Sequence, residues 1–174
     1  MHDFTEYIDR CINFTFKNLS KVNEKTIQEL KTSGSTSLVI TLHMIQLQKT
    51  IFAVGMFSIF EAYLQEGLNC TNGIDKAKKI LYDQNELDIN ERFDNLILAI
   101  NVLKHGRGRS YDTLVANAKS LPFRVKLPNE SFFFEADVSE ASTLVQVDDS
   151  FVQLCGDTIR EVSEVIKRVN NEFL

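Results

Sequence analysis

The apolar residues of the first thirty positions recur three and four residues apart, which is the spacing of one face of an α-helix. They are Phe4, Ile8, Cys11, Ile12, Leu19, Val22, Ile27 and Leu30. This pattern predicts one long amphipathic helix over residues 3–31, ended by the small polar run 32–37. A second helix is expected over residues 38–68. Its centre, residues 51–60, is apolar on every side, which is typical of a helix that others surround.

Gly55 lies inside this apolar centre. A glycine costs about 1 kcal/mol relative to alanine in a helix interior, so its presence calls for an explanation. Close approach of another helix and a functional kink are the two candidates. We prefer the first.

Four further helices are expected, over residues 74–82, 91–105, 110–119 and 149–173. Gly106 follows the second of these at the position of a left-handed C-terminal cap. An acidic or hydroxyl residue at 148–150 would offset the dipole of the last helix.

Residues 121–148 show a different pattern. Apolar and polar residues alternate over 123–127, Pro128 and Asn129 form a turn signal, and apolar runs follow at 132–134 and 144–147. These features predict a small β-hairpin. The expected fold is all-α, an antiparallel bundle of four to five helices in a single domain over 1–174, with this hairpin (121–148) inserted before the C-terminal helix.

Composition narrows the possible functions. The 174 residues are 44% apolar and 25% charged, and their formal net charge is −5. That acidic balance excludes a general basic coat for nucleic acid, although a local basic patch remains compatible with it. Three widely spaced cysteines, each expected to be buried, argue against a disulfide framework or a zinc site. We therefore predict no metal and no cofactor.

The chain's expected location is the cytoplasm. The cysteine pattern fits a reducing compartment, and the first residues lack the basic and apolar regions of a secretory signal. The longest apolar run, 51–60, is too short to cross a bilayer. We therefore expect no membrane partner.

Candidate chemistry gathers in residues 101–110. Asn101 and His105 are four residues apart and share one face of the predicted helix. Lys104 and two arginines, Arg107 and Arg109, add positive charge around two glycines that allow a ligand close to the backbone. Ser110 then opens a helix whose free amides can bind an anion. This pattern predicts a histidine that transfers a proton beside cations that hold a phosphate. The alternative is a helix cap followed by a solvated loop.

Two segments carry a resemblance to a known family. They are the end of the central helix, Phe60-Glu61-Ala62-Tyr63-Leu64, and the later helix with its loop, Ala99-Ile100-Asn101-Val102-Leu103-Lys104-His105-Gly106-Arg107-Gly108. Together they resemble the HEPN-like all-helical superfamily, and more narrowly its uncharacterised bacterial members with an Asn-x-x-Lys-His-Gly signature. The resemblance implies a homodimer that cleaves RNA without metal, with His105 in proton transfer and Asn101 as the polar motif residue. The sequence departs from the family motif where an arginine is expected, because residues 98–100 are all apolar.

Three hypotheses follow. The departure at 98–100 favours a non-catalytic or degenerate bundle, most simply a homodimer, that binds RNA, a nucleotide or an operon-encoded partner protein. The alternative is a metal-independent endoribonuclease of toxin or defence type that uses His105. A third hypothesis is a scaffold that dimerises through its first helix.

Overall fold

The fold is all-α. A computed structural model describes residues 4–135, 137, 139–170 and 173 of the chain. The described residues form six helices: α1 (Phe4–Leu30), α2 (Thr36–Gly67), α3 (Gly73–Asp83), α4 (Leu87–His105), α5 (Arg109–Ala116) and α6 (Asp149–Val169). The predicted helical class is confirmed, while the predicted number of four to five helices is too low. The predicted start of the first helix, at residue 3, lies outside the described residues.

Three helices form the centre of the bundle. α2 packs against α1, α3, α4 and α6. α4 packs against α2, α3, α5 and α6, and α6 packs against α1, α2, α3 and α4. Phe60 of α2, Phe93 of α4 and Ile159 of α6 are fully buried between them. Other helices cover only one side of the apolar centre of α2: Ala53, Met56 and Phe60 are buried, whereas Ile51 and Ile59 are 55% and 60% exposed, so the prediction that helices surround it is wrong.

The first and last helices lie directly against each other. Gly156 of α6 is so close to α1 that an added Cβ would lie 2.3 Å from Cδ1 of Ile12. The guanidinium of Arg160 donates a hydrogen bond of 3.2 Å to the carboxylate of Asp9. A small residue at 156 therefore allows the two helix backbones to approach.

Capping residues end the helices where the sequence indicates. The side chain of Asp148 accepts a hydrogen bond of 2.9 Å from the amide of Phe151, so it is the N-cap of α6. Gly106 has a φ of 75° and its amide donates to the carbonyl of Val102 at the end of α4. That backbone conformation favours glycine because it has no Cβ.

The predicted β-hairpin over 121–148 is wrong. The part of this segment that the structure describes contains one isolated antiparallel bridge, between Val125 and Val145. The pairing stops there because neighbouring backbone groups have other partners. The carbonyl of Lys126, which faces the partner segment, accepts a hydrogen bond from the hydroxyl of Tyr111, and Pro128, the next residue to face that segment, has no amide hydrogen to donate.

A buried ion pair holds this segment together. Lys126 Nζ lies 2.6 Å from Glu140 Oε1, and each side chain is only 8% exposed. The second oxygen, Oε2, accepts hydrogen bonds from the amides of Phe133 and Phe134. These two amides are therefore bonded to a side chain instead of to a neighbouring strand. Burial by itself would raise the pKa of Glu140, but the hydrogen bonds from Lys126, Phe134 and Phe133 outweigh it and lower that pKa.

α2 is longer than its apolar centre suggests. It has 32 residues, and an 18-residue window with a mean hydropathy of 1.3 makes it long and apolar enough to cross a membrane by length and composition. A mostly buried core helix of a soluble protein passes the same test, but only 22% of this window is buried, and one such helix is weak evidence for a membrane span. The cytoplasmic location stays a prediction.

Two smaller expectations are corrected. Gly55 is not a site of close helix approach within the chain, because an added Cβ there would meet no described atom within 4 Å. Of the three cysteines, all free, Cys155 is buried as expected, whereas Cys70 is partly exposed and Cys11 is exposed. Burial raises the pKa of the Cys155 thiol well above its usual range, so that side chain is an inert part of the core.

Candidate anion-binding junction between α4 and α5

The candidate residues occupy the end of one helix, a three-residue loop and the start of the next helix. Lys104 and His105 form the last turn of α4, and α5 begins at Arg109. In the loop 106–108, Gly106 has a φ of 75° and a ψ of −142°, a conformation that favours glycine but is not the predicted left-handed helical one. All the predicted site residues therefore lie within one short surface segment.

The cationic side chains of this junction are open to solvent. Lys104, His105, Arg107 and Arg109 are all exposed, whereas Asn101 and Ser110 are partly buried. Asn101 and His105 lie one turn apart on the same helix, as predicted. Among the residues that the structure describes, no hydrogen bond or ion pair joins His105 to either arginine. The predicted convergence of the three side chains on one hollow stays a prediction.

Tyr111 holds one of the arginines, a role that sequence reasoning missed. The guanidinium carbon of Arg107 lies 5.2 Å from the centre of the Tyr111 ring, a cation–π geometry. Tyr111 is itself buried, and its hydroxyl donates a hydrogen bond of 2.7 Å to the carbonyl of Lys126. No helical spacing signalled this contact, because Arg107 lies in the loop before the N-cap Gly108 and not in α5.

The first turn of α5 has free backbone amides. Gly108 precedes the helix and has no side chain to cap it, and no side-chain cap is formed. The amides of residues 109–111 therefore have no acceptor within the helix. Positive charge from these amides adds to that of the neighbouring cations. Asp112 in the same turn brings one negative charge.

The basic side chains of the junction are not paired with described carboxylates. In the described part of the chain, none of Lys104, His105, Arg107 and Arg109 lies within 4.0 Å of an acidic oxygen. By contrast, Arg92 of α4 is 2.8 Å from Glu161 of α6. Arg92 therefore joins α4 to α6.

The catalytic arginine expected from the family motif has no equivalent here. Leu98 is partly buried, and Ala99 and Ile100 are buried in the core. These positions are needed for packing α4, so the structure explains why they are apolar. The arginines near His105 instead follow it, Arg107 in the loop and Arg109 at the start of α5.

No metal-binding group or large pocket marks this junction. Among the described residues, no cluster of three or more His, Cys, Asp or Glu side chains can hold a metal ion. A cavity of about 60 Å³ lies elsewhere, between α2 and the 133–148 segment, where Thr50, Glu140 and Gln146 contribute to its wall. That volume is far below the several hundred Å³ of a typical small-molecule site. A ligand at the junction would bind on an open surface.

Comparison with family models, with curated proteins and with solved structures finds no match for this chain. The HEPN-like resemblance therefore rests on the residues quoted for it alone.

Proposed function

We propose that this protein is a non-catalytic helical bundle that binds RNA or a nucleotide through the α4–α5 junction. One observation carries the proposal: three cationic side chains, those of Lys104, Arg107 and Arg109, are exposed beside His105 within six residues and lack carboxylate partners among the described residues. The chain as a whole is acidic, so an exposed basic cluster of this density indicates a binding site for a negatively charged ligand. Phosphate groups are the natural partners of such cations.

The surface character of the junction favours an extended ligand. Open, solvated cations bind a polyanion by releasing its counterions, and this needs no enclosed pocket. The remaining negative charge of the protein repels the rest of the polyanion, so we expect modest affinity with strong salt dependence. The missing arginine at 98–100 favours binding over catalysis.

Fluorescence anisotropy with a labelled single-stranded RNA tests this proposal. For single strands, log K falls with log salt with a slope of about −0.7 per neutralised phosphate. Arg107→Ala and Arg109→Ala should each weaken binding and reduce the magnitude of this slope by about 0.7. Lys21→Ala is the matched control, because Lys21 is an exposed cation on α1. The proposal would be contradicted if the protein did not bind this RNA, or if Lys21→Ala weakened binding as much as the two arginine variants do.

The second candidate function is metal-independent cleavage of RNA. It is favoured by the placement of Asn101 one turn from His105, followed by Arg107 in the loop and Arg109 at the start of α5. Incubation with total RNA in the presence of EDTA would reveal cleavage, and His105→Ala should abolish it. Equal cleavage by the variant would assign the activity to a contaminant.

A further inference from the structure

One face of α2 is left uncovered by the described part of the chain, although α2 is the most apolar helix. Its large side chains remain about half exposed or more along this face: Ile40 is 61%, Met44 49%, Leu47 52% and Ile51 55% exposed. Contiguous apolar surface of this kind marks an interaction site.

The exposed face continues with small residues. Gly55 is partly exposed, and Ser58 and Ala62 are exposed. The full series, at spacings of three and four, is Ile40, Met44, Leu47, Ile51, Gly55, Ser58 and Ala62. At about 100° per residue these positions lie within about 40° of one line along the helix. We call this series the α2 stripe; its first half is large and its second half is small.

This order of sizes makes the α2 stripe complementary to itself. In an antiparallel pair of stripes that cross at Ile51, Leu47 of one copy lies opposite Gly55 of the other. Met44 then lies opposite Ser58, and Ile40 opposite Ala62. Each large side chain faces a small one, which lets two helices interdigitate closely. The open space around Gly55, where an added Cβ meets nothing, is where Leu47 of the second copy would fit.

The charge of the stripe also fits a second copy. Lys49 is the one Lys, Arg, Asp or Glu between residues 36 and 60. Its ammonium lies 2.8 Å from Asp149 of α6, and its side chain is only 13% exposed. The stripe is therefore neutral and offers no charge that would select an acidic or a basic partner. An interface with two-fold symmetry requires one surface to match itself, and the α2 stripe does so in both charge and shape.

We propose that the protein forms a homodimer in which the α2 stripes of two copies pair antiparallel, with the two-fold axis at Ile51. This proposal does not depend on the proposed RNA-binding function. It also differs from dimerisation through α1, because the self-complementary surface belongs to α2.

Light scattering during size-exclusion chromatography, over a dilution series, tests the dimer. The wild-type protein should have twice the 19.9 kDa mass of one chain. Gly55→Leu should shift it to the mass of one chain, because the new side chain occupies the space for Leu47. The free space at Gly55 means that this variant should still fold, which circular dichroism checks. Ser20→Leu is the matched control, because it adds the same side chain at an exposed site on α1.

Disulfide cross-linking tests the orientation, in a background with Cys11→Ser and Cys70→Ser. A mixture of Leu47→Cys and Gly55→Cys chains should form mainly the mixed disulfide. A parallel pair would instead link each variant to itself. A monomer at every concentration, a dimer that Gly55→Leu leaves intact, or self-linked products alone would overturn the proposal. So would a monomer that floats with neutral phospholipid vesicles, because the stripe would then face a bilayer.

Discussion

Removing the Glu140 carboxylate should destabilise the protein more than the loss of any surface ion pair. Three donors converge on this group: Lys126 Nζ at 2.6 Å, and the amides of Phe133 and Phe134 at 2.7 and 3.2 Å. Glu140→Ala leaves all three without this acceptor. One of them is an ammonium on a side chain that is 8% exposed.

The expected cost follows from that uncompensated charge. Breaking a buried pair by removing one partner costs about 3–5 kcal/mol. Lys126 Nζ also lies 4.5 Å from the centre of the Phe133 ring, and this contact would retain part of the stabilisation of the charge. We therefore expect a decrease of about 3 kcal/mol in the free energy of unfolding, at the lower end of the range.

Urea unfolding of a double-mutant cycle measures the effect. Lys126→Met, Glu140→Ala and the double variant should show a coupling of about 1–3 kcal/mol, because the second change removes the charge that the first leaves unpaired. Glu29→Ala, which removes an exposed partner of Lys25 at 3.9 Å, should cost less than about 0.5 kcal/mol. A loss below about 1 kcal/mol for Glu140→Ala, or additivity within about 0.5 kcal/mol, would refute the reasoning.

Acid should weaken the same ion pair, because the folded pKa of Glu140 lies below its ordinary value of 4.5. The carboxylate then contributes stability above pH 4.5, and this stability is lost as the pH falls through the folded pKa. In Glu140→Gln, the urea concentration at the unfolding midpoint should therefore depend less on pH over that range. At the α1–α6 contact, Gly156→Ala should destabilise by about 1–3 kcal/mol through its clash with Ile12. Helix propensity alone would stabilise this variant by about 1 kcal/mol, so a higher melting temperature would contradict the clash. Ile12→Ala in the same chain should restore part of the loss.

The helices were predictable because their signals are local. Periodicity placed α1, α2 and α6 within a few residues of their ends, and the cap residues Gly106 and Asp148 act as their types indicate. Alternation over 123–127 was misleading, because it indicates that Lys126 faces solvent. In the fold Lys126 is buried by Glu140, fourteen residues later, and a partner at that distance leaves no local pattern.

The candidate site was predictable in position but not in surroundings. Residues 101–110 are contiguous, so their proximity required no knowledge of the fold. The exposure of His105 and the contact between Arg107 and Tyr111 depend on how α5 packs, which the sequence does not reveal. Gly55 illustrates the same limit. A glycine inside a helix looks the same in the sequence whether the helix that it allows to approach belongs to the same chain or to a second copy.

The contact between α1 and α6 has a consequence for synthesis on the ribosome. Ile8 and Ile12 of α1 are buried, and the α6 surface beside them, at Gly156, begins to emerge only after more than 120 further residues. At about 5–20 residues per second, α1 waits on the order of ten seconds before α6 is made. During that interval the nascent chain presents apolar surface, which makes it a natural client of chaperones that act close to the exit tunnel.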